Sequence, residues 1–95
     1  LEDAEIYARK AIELNPNFAI AHTNLGIILK DLGKLEDAEI YVRKAIELNP
    51  KSADAYINLG AILRNIGKLE DARKCSKKIM SIRSWSIVGS YSFNH

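Results

Sequence analysis

The chain repeats itself every 34 residues, and that period constrains its fold more than any other property. LEDAEIYARKAIELNP at 1–16 returns as LEDAEIYVRKAIELNP at 35–50, differing only at Ala8 against Val42, and a decayed third copy begins as LEDARKCSKKIM at 69–80. Between them stand NFAIAHTNLGIILKDLGK (17–34) and KSADAYINLGAILRNIGK (51–68). A fixed period of this length marks one supersecondary unit stacked on copies of itself. A single unit cannot bury its own apolar face, so its neighbours supply the core and the chain grows as a solenoid. Solenoids offer long surfaces more readily than closed catalytic pockets.

Each period reads as two helices. Over 18–32, Phe18, Ala19, Ile20, Ala21, Leu25, Ile27, Ile28, Leu29 and Leu32 are too many for one stripe. Such a helix is buried between neighbours or exposes an apolar groove. Gly33 and Gly67 stand where a left-handed helix end wants glycine. The second helix, about 35–48, is amphipathic: Leu35, Ala38, Tyr41, Val42, Ala45, Ile46 and Leu48 inward, Glu36, Asp37, Glu39, Arg43, Lys44 and Glu47 outward. Glu39 with Arg43, or Arg43 with Glu47, can pair at i,i+4 on that solvated face. Pro16 and Pro50 end this helix in its two full copies, since proline disfavours helix for the residue before it. Five helices are expected, near 1–14, 18–32, 35–48, 52–66 and 69–83. Short links make neighbours antiparallel. The fold class is all-α, an α-solenoid of antiparallel helix pairs amounting to about two and a half units.

The organisation follows: 1–16, the second helix of an incomplete unit; 17–50, a full unit; 51–84, a full unit with a degenerate end; 85–95, a tail. Beginning inside a repeat at Leu1 without Met, the sequence reads as a piece of a longer protein. SIRSWSIVGSYSFNH (81–95) fits no unit; Trp85, Ile87, Tyr91 and Phe93 among serines allow a strand, an irregular tail or an aromatic flap. The favoured expectation is a helix to about 84 followed by poorly ordered residues.

Charge and composition exclude more than they assign. No apolar run is long enough to cross a membrane. A single cysteine, Cys75, allows no internal disulfide and fits a reducing, cytoplasmic setting. Residues 1–72 hold nine basic and twelve acidic side chains; Arg73, Lys74, Lys77, Lys78 and Arg83 follow with no acid. That basic end suits a helix C-terminus, whose dipole favours cations. It lacks the interleaved aromatics of a nucleic-acid stacking platform. His22, His95 and Cys75 show no metal-ligand spacing. No catalytic residue, metal or cofactor is expected; His22 and Cys75 read as packing residues.

In register, the residues resemble the tetratricopeptide repeat family. The first full unit carries His22, Leu25-Gly26, Leu29, Gly33, Ala38, Val42, Ala45 and Pro50; the next carries Tyr56, Leu59-Gly60, Leu63, Gly67 and Ala72, then departs at Ser76, Ile79 and Ser84. Residues 1–16 match only a second helix, through Ala4, Ala8, Ala11 and Pro16. Leu29 and Leu63 stand where the family prefers tyrosine. Gly26 and Gly60 would allow close helix approach, with Ala38 and Ala72 at the crossings.

The resemblance implies a concave face lined by the first helix of each unit: Ile20, Thr23, Asn24, Ile27, Lys30 and Asp31, then Asp54, Ile57, Asn58, Ala61, Arg64 and Asn65. Asn24 and Asn58 lie one period apart, and an asparagine amide both donates and accepts. Such a ladder resembles the grooves of O-linked N-acetylglucosamine transferase and kinesin light chain, where it would clamp a peptide backbone; two solvated asparagines are the alternative. Basic residues that grip acidic chaperone C-termini are replaced here by Ile20, Asp54, Thr23, Ile57 and the asparagines. The expected function is a non-enzymatic protein-interaction module holding a protein or peptide ligand. The alternatives are a substrate-presenting piece of a multidomain glycosyltransferase and a self-assembling structural repeat, with a homodimer through the repeat ends.

Overall fold

The structure is a computed structural model that describes the backbone of residues 2–93 and the side chains of residues 3–83. It contains α1 (Glu2–Leu14), α2 (Ala19–Asp31), α3 (Leu35–Leu48), α4 (Ala53–Ile66) and α5 (Leu69–Phe93), with no strand among the described residues. Each helix packs on the next, and α2 also touches α4. The Cα radius of gyration is 14.8 Å, against about 12.4 Å for a compact globule of this length. The elongation is that of an array.

The helix ends follow the local chemistry. Gly33 and Gly67 have φ of 82° and 99°. At both, the next amide reaches back across the turn: Lys34 N donates to Leu29 O and Lys68 N to Leu63 O, each at 2.8 Å. This closing bond satisfies carbonyls the helix would otherwise orphan. Asn49, ahead of Pro50, leaves the helix at φ −143°, ψ 87°. Ser52 caps α4, its Oγ accepting from Ala55 N at 3.2 Å. One period earlier Phe18 provides no side-chain cap.

The core runs along the array. Leu25 and Leu29 of α2, Ala38, Val42 and Ala45 of α3, Ala55, Leu59, Ile62 and Leu63 of α4, and Ala72 and Cys75 of α5 form one buried cluster. Of the face expected inward on α3, Leu35, Tyr41, Ile46 and Leu48 are half-buried rather than buried. Leu29 and Leu63 are both buried, so leucine fills the tyrosine positions without loss of cover.

One expectation needs correcting, and one difference between the repeats was not foreseen. α5 does not stop near 83 but continues to Phe93. The cause is a missing terminator: Ser84 occupies the place of Pro16 and Pro50. An established helix elongates more easily than a new one starts, and nothing between 81 and 88 breaks it. The side chains of 84–95, including Trp85, Ile87, Tyr91 and Phe93, lie outside the described ones. Second, Gly26 and Gly60 are not equivalent. A Cβ on Gly26 would overlap Val42 Cγ2 and lie 3.3 Å from Ala38 O. On Gly60 it would meet Cys75 Cβ at 3.5 Å, an ordinary contact. Of these two glycines, only Gly26 lies so close to its neighbour that a side chain is excluded. Ser76 replaces Val42 in the third copy.

Candidate functional site

All twelve residues assigned to the concave face lie on α2 or α4. Ile20, Asn24, Asp31, Asp54, Ile57, Arg64 and Asn65 are exposed; Thr23, Ile27, Lys30, Asn58 and Ala61 are half-buried. Ile20 keeps 60% of its surface open and Ile57 40%, although water disfavours apolar side chains there. Lys30, Asp31, Asp54 and Arg64 form no ion pair among the described residues.

The two asparagines differ. Asn58 Nδ2 donates to Asp54 O of its own helix at 2.9 Å. That bond orients the amide and leaves Oδ1 free to accept. Asn24 makes no side-chain hydrogen bond among the described residues. Thr23 Oγ1 is turned back to Ala19 O at 3.4 Å, a long bond within α2.

The groove has a wall that the sequence reading missed. A concavity of about 490 Å³ is lined by Tyr7, Ala8 and Ala11 of α1, Phe18 ahead of α2, and Ala21, Asn24, Ile27 and Ile28 of α2. Asn24 and Ile27 thus face α1 as well as open solvent. The signal was available: Tyr7, Ala8 and Ala11 are the 34-residue counterparts of Tyr41, Val42 and Ala45.

A second cleft of about 540 Å³ lies among Ile6, Arg9, Ile12, Leu25 and Tyr41. Here the polar work is structural. Arg9 Nη1 donates to Tyr41 Oη at 3.0 Å, and its guanidinium carbon lies 5.5 Å from the Tyr41 ring centre. Tyr41 also stacks on His22 at 6.1 Å. His22 is buried and its Nε2–H donates to Pro16 O at 2.8 Å, which ties α2 to the preceding turn. Nδ1 has no hydrogen-bond partner among the described residues. His22 sits in packing, as its repeat position implied.

Two acidic side chains, one period apart, bridge repeats. Glu5 pairs with Arg9 at 2.9 Å and with Lys34 at 3.0 Å. Glu39 pairs with Arg43 at 2.8 Å and with Lys68 at 3.4 Å. Lys34 and Lys68 hold Glu5 and Glu39 from the turn after the next helix. The Lys34 and Arg9 hydrogen bonds pull the Glu5 carboxyl below its ordinary range. Those of Arg43 and then Lys68 do the same for Glu39, partly opposed by burial. Arg43 thus takes Glu39 as partner and not Glu47. Arg73 occupies the third equivalent position, so the ladder stops there.

Cys75 is buried, and burial pushes its thiol up, away from the reactive thiolate. No group of three or more His, Cys, Asp or Glu that could hold a metal ion occurs among the described residues. No helix of the described residues is long and apolar enough to cross a membrane.

Comparison with known proteins agrees with this geometry. Family models described as tetratricopeptide repeat match residues 19–52 and residues 41–74. No curated protein matches the chain. Among solved structures, the second repeat domain of Spaghetti (RPAP3), bound to the HSP90 peptide SRMEEVD, superposes with a TM-score of 0.82 at 22% identity, covering 85% of this chain and 75% of that one. A crystal structure of MamA gives 0.83 at 25% identity, covering 87% and 48%. A MamA RS-1 double mutant gives 0.81 at 20%, covering 83% and 44%. The chain therefore spans less than half the length of these MamA structures. With two overlapping family matches that together span residues 19–74, laid over helices that keep the 34-residue register, the chain belongs to the tetratricopeptide repeat family.

Proposed function

We propose that this chain is a non-catalytic protein-interaction module that holds an extended peptide segment along α2 and α4. The observation that carries the reading is the pair Asn24 and Asn58, one period apart on adjacent first helices. Asn58 Oδ1 is left to accept by the bond from its own Nδ2 to Asp54 O. An accepting oxygen and a free amide at repeat spacing suit a peptide backbone, whose donors and acceptors also recur.

Exposed Ile20 and Ile57 then favour aliphatic or aromatic side chains on the ligand, and Lys30 and Arg64 favour an acidic residue further along. The RPAP3 domain was solved with an acidic peptide. In this chain Ile20, Asp54 and Ile57 stand among the groove positions where basic side chains would be needed, so a mainly apolar peptide is the better match. The reading places the module in the cytoplasm, with the thiol of Cys75 reduced.

A peptide-array screen tests this, run with the natural chain and with Asn24→Ala/Asn58→Ala. Losing two hydrogen bonds of about 1 kcal/mol each corresponds to roughly 30-fold weaker binding. The double variant should lose most bound peptides while keeping its helicity. Retention of the same peptides at the same strength would overturn the reading.

A further inference from the structure

The 34-residue register pairs two clefts, and the first shows what the second is shaped to hold. In the first, between α1, α2 and α3, the Tyr41 ring stacks on His22 and lies against the Arg9 guanidinium. Its hydroxyl accepts from Arg9 Nη1. One period on, Arg9 recurs as Arg43, His22 as Tyr56 and Leu25 as Leu59, but Tyr41 gives way to Cys75. A cleft of about 320 Å³ lies there, lined by Arg43 of α3, Tyr56 and Leu59 of α4, and Lys74, Cys75 and Lys78 of α5. Tyr56 is larger than His22 and makes up part of the lost ring volume, so Cys75 itself is buried. A cysteine is too short to reach the guanidinium as a tyrosine does.

The polar groups of the second cleft keep the first arrangement without its acceptor. Arg43 Nε donates to Glu39 as Arg9 Nε donates to Glu5. Arg9 Nη1 goes on to Tyr41, whereas the Arg43 Nη groups have no acceptor among the described residues. Tyr56 is half-buried, with no stacked ring and no side-chain hydrogen bond among the described residues. The charge differs too, because Lys74 stands in the place of Ile40. Arg43, Lys74 and Lys78 line the cleft with a single carboxylate, Asp71, 3.8 Å from Lys74. Three consecutive described helices bound this cleft. The cleft around Tyr41 takes no residue from α4, although α4 follows α3, so the register places no later helix over its counterpart.

We propose that the α3–α4–α5 cleft is a docking site for a tyrosine side chain on an acidic segment of a partner protein. The ring takes the place that Tyr41 has one period earlier, stacked on Tyr56 and against Arg43, and its hydroxyl accepts from an Arg43 Nη group. An offset ring pair and a cation over a ring face both favour that placement. Acidic neighbours of the tyrosine meet Lys74 and Lys78. No residue of the concave face lines this cleft, so the inference does not rest on the peptide-binding reading above.

Fluorescence anisotropy tests it with a labelled peptide whose one tyrosine is flanked on both sides by glutamates. Companion probes carry phenylalanine or serine instead of the tyrosine. The full chain should bind the tyrosine probe about fivefold more tightly than the phenylalanine probe, which lacks the accepting oxygen. The serine probe, without a ring, should bind about tenfold more weakly still. Arg43→Gln should weaken the tyrosine probe about tenfold and Lys74→Ile about threefold. Tyr56→His with Cys75→Tyr rebuilds the first cleft and fills the second from within, so it should abolish binding. Circular dichroism checks that each variant stays helical; the two single variants, at exposed positions, decide the matter if the filled one unfolds. Amide shift mapping should place the probe at Tyr56, Lys74 and Cys75. Equal affinity for all three probes, or no binding of any, overturns the proposal. So does a folded filled variant that binds as the natural chain does, or shifts confined to Asn24, Ile27 and Ile57 on the concave face.

Discussion

Gly26 lies against Val42 so closely that a methyl group on Gly26 would overlap Val42 Cγ2, whereas its counterpart Gly60 has ordinary room beside Cys75. One family position therefore carries two different demands within a single chain. Gly26→Ala gains about 1 kcal/mol of helix propensity but incurs overpacking of about 1–3 kcal/mol. It should lower thermal stability. Gly60→Ala keeps the propensity gain and should leave the midpoint unchanged or raised by a few degrees. Thermal unfolding of the two variants decides this; equal losses would show that both sites exclude a side chain.

Acid should weaken the array through its bridging carboxylates. The Arg43 and Lys68 bonds depress Glu39 in the folded chain. A carboxylate depressed on folding contributes stability above its unfolded value and loses it as pH falls through the folded one. The urea midpoint should therefore fall between about pH 5 and about pH 3. Glu39→Gln should cost about 1 kcal/mol or less at neutral pH, as its partners are half exposed. It should also flatten part of the acid decline. Glu47→Gln, on the same helix and in no ion pair among the described residues, should reproduce the natural curve. An identical decline in both variants would count against the bridge.

Restoring the lost stop should shorten α5. Ser84→Pro recreates the terminator of the earlier copies, and residues 84–93 should leave the helix. Circular dichroism should lose the signal of about ten helical residues, with little change in unfolding midpoint, because Ala72 and Cys75 carry the docking of α5 onto the core. Unchanged helicity would contradict the account of the extension.

How far the sequence was legible follows from where the determinants lie. Gly33, Gly67, Pro16 and Pro50 act locally, so the ends of the first four helices could be read within a residue. The end of α5 depended on an absence, Ser84 for proline, which a pattern of present residues does not flag. The packing role of His22 was legible from its register, but its bond to Pro16 and stack on Tyr41 depend on tertiary placement. The α2 and α4 positions of the groove came from the repeat. Its wall from Tyr7, Ala8 and Ala11 did not, because reading each unit alone hides what a helix of the preceding unit contributes. The difference between Gly26 and Gly60 was not legible because it depends on what faces each from another helix, Val42 and Ala38 in one case and Cys75 and Ala72 in the other.

The most direct test of the groove assignment is amide chemical-shift mapping of the isotope-labelled chain on titration with the strongest array peptide. The account predicts that the largest changes fall on α2 and α4, centred on Thr23, Asn24, Ile27, Ile57 and Asn58. Changes confined to the opposite cleft at Ile6, Arg9 and Tyr41, or to the outer face of α3, would contradict it.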